Sequence, residues 1–151
     1  MANQTIDILV ATTSGNTEYL ADQVSEQLQN EGFITRVHYE PDYSDLVEAI
    51  DQDSIWLGCI ASHGAGDYAD SMLAFADDLH ARKPRLEPLS YAVIAVGDSC
   101  YDTFCLAGRD FDENLAHAGA KRLMDRLEID MSRDDPEKKA STWLTTFMDR
   151  L

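Results

Sequence analysis

The sequence predicts an α/β fold of the doubly wound kind, a parallel sheet with helices on both faces. Three observations predict it. Runs such as IDILVA (Ile6–Ala11) and YAVIAV (Tyr91–Val96) are short and almost wholly apolar, as strands buried on both faces must be. They alternate with stretches whose apolar residues recur every three or four positions. Polar, glycine-bearing segments follow the first, third and fourth strands, where such sheets place ligands.

In chain order, a strand is expected over Ile6–Ala11, then a helix over Asn16–Asn30. Leu20, Val24 and Leu28 repeat every four residues on that helix, and Glu31-Gly32 ends it. Thr35–Tyr39 and Ser54–Ala61 read as the second and third strands. A helix follows over Asp70–Arg82, with Met72, Phe75, Ala76 and Leu79 on one face. Tyr91–Val96 is the fourth strand, Leu106–His117 a helix, and Arg122–Asp130 holds a weaker fifth strand. The final helix, Pro136–Leu151, carries Trp143, Leu144, Phe147 and Leu151 as its stripe. Asp135 is its N-cap and Pro136 its first-turn proline. No repeat, linker or low-complexity tract interrupts this pattern, so one domain over residues 1–151 is expected.

Composition narrows the function. The chain carries 28 acidic against 12 basic residues, a formal charge of −16. Nucleic-acid phosphates would be repelled by such a surface, whereas a basic protein partner would be drawn to it. No apolar run approaches the roughly 20 residues that span a bilayer, and residues 1–16 lack the basic and apolar regions of a signal peptide. No membrane association and a cytoplasmic location are therefore expected. Three cysteines, Cys59, Cys100 and Cys105, suit reduced thiols and are too few for a four-thiolate cluster. The four histidines are scattered, with no pair at metal-ligand spacing.

Three loops carry the chemistry. In the first, Thr12, Thr13, Ser14, Gly15, Asn16 and Thr17 stand where a helix begins. The helix end presents unpaired N–H groups and a positive dipole, so an anion fits there without a lysine. The nucleoside-triphosphate and dinucleotide glycine motifs are both absent, and one phosphate monoester suits the loop. An ordinary N-capped helix accounts for the same residues equally well. In the second, Ser62, His63, Gly64, Ala65 and Gly66 can turn peptide groups toward the edge of a flat ligand; a plain turn before a capped helix at Asp70 is the alternative. In the third, Gly97, Asp98, Tyr101, Phe104 and Cys105 include two aromatics. Tyr101 is the better candidate to stack on a heterocycle, and Phe104 the better candidate for the core. Together the loops suit a ligand with a phosphate and a flat polar ring. Flavin mononucleotide, FMN, is such a ligand.

These loops resemble those of flavodoxins, and the likeness covers essentially the whole chain. TTSGNT is similar to the family's phosphate loop, ASHGAGDYAD to the loop bordering the flavin ring, and GDSCYDTFC to the loop with the stacking tyrosine. AGAKRLMDRLEID resembles the FMN domains of diflavin reductases of the sulfite reductase type. HGAGD with YDTFC resembles short, stand-alone flavodoxins of the MioC and YqcA type. The resemblance implies a five-stranded sheet in order 2-1-3-4-5, of the short-chain type. It implies an FMN-binding, low-potential electron carrier without substrate turnover of its own. An NADPH-dependent flavodoxin reductase type of donor would reduce it and an acceptor enzyme would oxidise it, the carrier being a monomer. Residues 12–17 would then hold the phosphate, residues 62–66 the ring edge, and Gly97, Asp98, Tyr101, Phe104 and Cys105 would complete the site. Asp130 would border it. Many relatives carry an aromatic residue where His63 stands; a histidine covers less of the ring and titrates near neutral pH.

Other readings fit less of the chain. A Gly-Asp-Ser esterase needs its D-x-x-H after the serine, and here DDLH (residues 77–80) precedes Ser99. A receiver domain needs an aspartate at the end of strand three, where CIASHG stands. Cys100 and Cys105 lack C-x-x-C spacing. An interaction module with weak or no FMN binding stays open.

Overall fold

The computed structural model describes residues 4–11, 15–63, 67–68, 70–98 and 105–151. The elements in chain order are β1 (Thr5–Ala11), α1 (Gly15–Asn30), β2 (Ile34–His38), α2 (Tyr43–Glu48), β3 (Ile55–His63) and β4 (Asp67–Tyr68). After them come α3 (Asp70–Arg82), β5 (Ser90–Gly97), α4 (Leu106–His117), β6 (Lys121–Arg122), β7 (Leu127–Asp130) and α5 (Pro136–Asp149). The parallel sheet runs β2-β1-β3-β5, and β6 and β7 both pair with β5 as one interrupted edge strand. Counted that way the order is 2-1-3-4-5, with β4 added antiparallel to the end of β3.

Strand periodicity divides the core in two. Ile6, Ile8 and Val10 of β1, Leu57 and Cys59 of β3, and Ile94 of β5 pack under α1 and α5. Leu9, Trp56, Ile60 and Val93 face the other way, under α3 and α4. Both sets are buried, which explains why these strands read as continuous apolar runs. Two aromatic arrays complete the layers: Phe75 lies edge-on to both Tyr43 and Trp56, while Trp143 stacks on Phe147.

The helix ends follow local chemistry. Gly32 adopts φ 93°, and α1 closes with Phe33 N–H on Leu28 O at 3.1 Å and Gly32 N–H on Gln29 O at 3.0 Å. That paired closure needs a left-handed residue at its turn. Asp42 caps α2 through Asp45 N–H at 2.9 Å, and Asp135 caps α5 through Lys138 N–H at 3.2 Å.

The structure differs from the sequence reading by more than one residue at four places. Helix α2 lies where no element was expected: its six residues hold less than two turns, too short for periodicity to register. Strand β3 continues past Ala61 through Ser62 and His63, which pair back with Tyr68 and Asp67. The expected fifth strand is broken between Arg122 and Leu127, where Arg122 and Arg126 both turn to the buried Asp112. The last helix ends at Asp149 rather than Leu151.

Asp7 is a buried charge on β1. Arg36 donates to both of its oxygens, at 2.9 and 3.2 Å, and His38 Nε2 lies 2.9 Å from Oδ1. Burial pushes its carboxyl up, and the hydrogen bonds from His38 and Arg36 outweigh that, leaving it below the usual range.

Candidate functional site

Register places the three loop-bearing strands at one level. Ala11 pairs with Ile60, Ile60 with Ala95 and Ala95 with Glu128. One row further, Ala61 pairs with Val96 and Val96 with Ile129; beyond that, Gly97 pairs with Asp130. The chain therefore leaves β1, β3 and β5 along a single carboxyl edge of the sheet.

Helix α1 starts at Gly15, directly beyond that edge. Leu20, Ala21, Val24 and Leu28 anchor it to the sheet, so its N-terminal dipole is held in place over the strand ends. Thr17, in its first turn, is only 3% exposed. Its hydroxyl has no hydrogen-bond partner among the described residues, although a buried polar group normally has one. The loop sequence contributes no cation, so backbone N–H groups and hydroxyls are the available donors.

At the end of β3, Ser62 Oγ accepts the Ala107 N–H at 3.0 Å. Ala107 lies in the first turn of α4, whose amides lack intrahelical partners. Cys105, at the cap position, has φ 55° and supplies no side-chain cap, so a neighbouring strand supplies one instead. Helix α4 also presses closely on β5. A Cβ at Gly108 would lie 2.3 Å from the Ala95 Cβ, an approach only glycine allows. The Cys105 thiol is buried and points at Ala95 O, 3.5 Å away. Burial first, and the Glu128 carboxylate after it, push the thiol up to about 12. It stays protonated at neutral pH and is unsuited to thiol redox chemistry. Burial likewise pushes Cys59 up to about 12.

At the fourth and fifth strand ends, side chains and backbone form a latch. Gly97 O accepts Met131 N–H at 2.8 Å, and Ser132 Oγ donates to Asp98 Oδ1 at 2.5 Å. Ser132 N–H donates to Asp130 Oδ1 at 3.0 Å, and Asp130 N–H to Asp134 Oδ2 at 2.8 Å. Lys139 Nζ donates to Asp134 at 2.8 Å; that bond first, then the Asp130 N–H, holds the Asp134 carboxyl below its usual range. Sequence reading missed Ser132, which holds Asp98. Its signal was the D-M-S-R-D run after a strand, a turn-forming pattern.

A deeper ionic network fixes α4 against the sheet edge. Arg109 bonds both Glu128 oxygens at 2.7 and 2.9 Å, and Arg126 bridges Glu128 to Asp112, each at 2.9 Å. Arg122 and the Tyr91 hydroxyl also donate to Asp112, at 2.9 and 2.6 Å. With Arg109 as the chief cause, Glu128 falls to about 2.

Of the sequence-predicted residues, Gly15 and Asn16 open α1, Thr17 is buried beside them, and Ser62 and His63 end β3. Gly97, Asp98, Cys105 and Asp130 gather at the same carboxyl edge. Thr12, Thr13, Ser14, Gly64, Ala65, Gly66, Tyr101 and Phe104 lie outside the described residues. Among the described residues, no acidic, histidine and cysteine cluster is suited to a metal ion, and no helix is long and apolar enough to cross a membrane.

A parallel sheet with its loops along one such edge defines the doubly wound α/β class, in which ligands sit beyond the carboxyl ends of the strands. The chain belongs to the flavodoxin family, whose model matches residues 8–143. It is 33% identical to the Protein MioC homolog of Haemophilus influenzae over 97% of this chain and 98% of that protein. It is 34% identical to the sulfite reductase [NADPH] flavoprotein alpha-component of Bacillus subtilis, over 92% of this chain but 22% of that longer protein. A mutant flavodoxin from Pseudomonas aeruginosa superposes with a TM-score of 0.87 at 24% identity, covering 98% of this chain and 99% of that one, and shares the fold. The protein is an FMN-binding electron-transfer protein of this family.

Proposed function

We propose that this protein shuttles electrons singly, at low potential, between an NADPH-dependent flavodoxin reductase type of donor and an acceptor enzyme. It works as a monomer and turns over no substrate of its own. FMN, when bound, supplies the one-electron chemistry. The observation that carries this reading is the buried Thr17 hydroxyl at the start of α1, without a hydrogen-bond partner among the described residues, beside an edge where three strands release their loops at one level.

Residues 12–17 would bind the phosphate through hydroxyls, backbone N–H groups and the α1 dipole. Ser62, His63, Gly64, Ala65 and Gly66 would line the ring edge, with Ser62 also bracing α4. Gly97, Asp98, Tyr101, Phe104 and Cys105 would close the other side, Tyr101 by stacking and Cys105 by packing rather than by thiol chemistry. The carboxylates of Asp98, Asp130 and Asp134 gather beside the strand ends and oppose added negative charge there.

The same edge suits partner docking. Tyr19, Leu73 and Leu106 are 55%, 44% and 46% exposed near the N-termini of α1, α3 and α4. Helices α1 and α4 follow the parallel strands β1 and β5, and α3 follows the short β4 return at the end of β3, so all three residues lie toward the carboxyl edge. Exposed apolar side chains within an acidic surface suit a partner with a basic rim.

Titrating flavin-free protein with FMN while following flavin fluorescence tests the site. Quenching to a one-to-one endpoint is expected, weakened by Thr17→Val and by Tyr101→Ala. A protein that leaves FMN fluorescence unchanged would overturn the reading.

A further inference from the structure

Most cations in this chain are spent on the framework. Arg36 pairs with Asp7, Arg109 and Arg126 with Glu128, Arg122 with Asp112 and Lys139 with Asp134. Lys83 and Arg85, like Lys121, Lys138 and Arg150, are exposed and make no ion pair among the described residues; what sets these two apart is that they stand together on one cleft. They border a cleft of about 650 Å³ at the end of the molecule opposite the flavin edge, where α3 and α4 terminate. The volume falls within the roughly 300–1,000 Å³ of small-molecule sites.

The cleft has fixed walls. Leu86 N–H bonds Ala118 O at 2.8 Å, tying the segment after α3 to the end of α4. Leu79 and Ala118 supply apolar surface, and His80 and His117 come from the last helical turns. Arg82 in the last turn of α3 faces the negative end of that helix, and Lys83 and Arg85 follow directly after it. Glu87 is the one carboxylate in the lining, and its Oε1 lies close over Gly119, within 2.6 Å of where a Cβ would stand.

We propose that this cleft is a second ligand site, for a small molecule bearing a diphosphate group. Lys83 and Arg85, two residues apart on the same cleft, offer two positive centres to two adjacent anionic ones. Arginine adds the planar fork that matches phosphate oxygens, and lysine a point charge. The diphosphate can be free pyrophosphate or part of a nucleotide.

Amide NMR spectra of the full chain with its flavin, titrated separately with pyrophosphate and with ADP at constant ionic strength, test this. Saturable shifts at Lys83, Arg85, His117 and Gly119 are expected. Lys83→Gln with Arg85→Gln weakens binding about tenfold or more, and Glu87→Gln tightens it. Flavin absorbance stays unchanged, so failure here leaves the FMN reading intact. Tighter binding of ADP identifies a nucleotide as the ligand; equal or weaker binding identifies the free anion. The proposal is overturned by no saturation up to roughly 10 mM of either probe, by equal shifts with sodium chloride, or by shifts confined to residues 12–18.

Discussion

Glu128 joins the first turn of α4 to the interrupted sheet edge, and its protonation should be felt in stability. Its folded-state value, about 2, lies below the unfolded value of 4.5. A group depressed in this way contributes stability above pH 4.5 and loses it as the pH falls toward 2. Urea unfolding across that window should show a slope that Glu128→Gln flattens, and an unchanged slope would assign the acid sensitivity elsewhere. Little of this was legible beforehand. Asp112 meets Tyr91 across 21 positions and Arg109 meets Glu128 across 19, and periodicity carries no information about such pairs. Thr17 and Ser62 were legible because a hydroxyl beside a strand end has a local reason to be there. The use of Ser62 to cap a different helix was not.

At the scale of elements, local signals decided most boundaries. Helix α4 spans Leu106–His117 as expected from the sequence, and Asp135-Pro136 starts α5. Gly32 ends α1 in a left-handed conformation that alanine resists. Gly32→Ala should cost about 1 kcal/mol in urea unfolding, although open space surrounds that Cα. An unaltered midpoint would mean that the closure of α1 is remade without strain. Where tertiary contacts decide, the sequence misleads: the fifth strand reads as continuous, yet the ladder is interrupted after Arg122, and the side chains of Arg122 and Arg126 both reach a buried carboxylate. Helix α2 depends on Tyr43 and Leu46 entering the core under α3, a contact invisible to a window along the chain.

For the whole molecule, alternation of strand and helix was legible, whereas the strand order rested on family resemblance. Two parallel arrangements of the same strands bury similar apolar faces, and no single-residue signal separates them. Net charge was legible too, and at −16 it should govern encounter with a basic redox partner. Screening shortens from about 10 Å at 0.1 M salt to about 3 Å at 1 M. Stopped-flow reduction by such a partner should therefore slow steeply as sodium chloride rises. A rate indifferent to salt would place recognition on Tyr19, Leu73 and Leu106 instead.

The Ser62–Ala107 bond also gives the fold a built-in clock. Amides in the opening turn of a helix ordinarily trade hydrogen for deuterium quickly, because nothing within the helix shields them. Ala107 N–H is tied to another strand, so its exchange should wait for α4 to lift from β3. Its lifetime in heavy water would then time the opening of the flavin edge, and Ser62→Ala should reset it to the fast rate of an ordinary helix start.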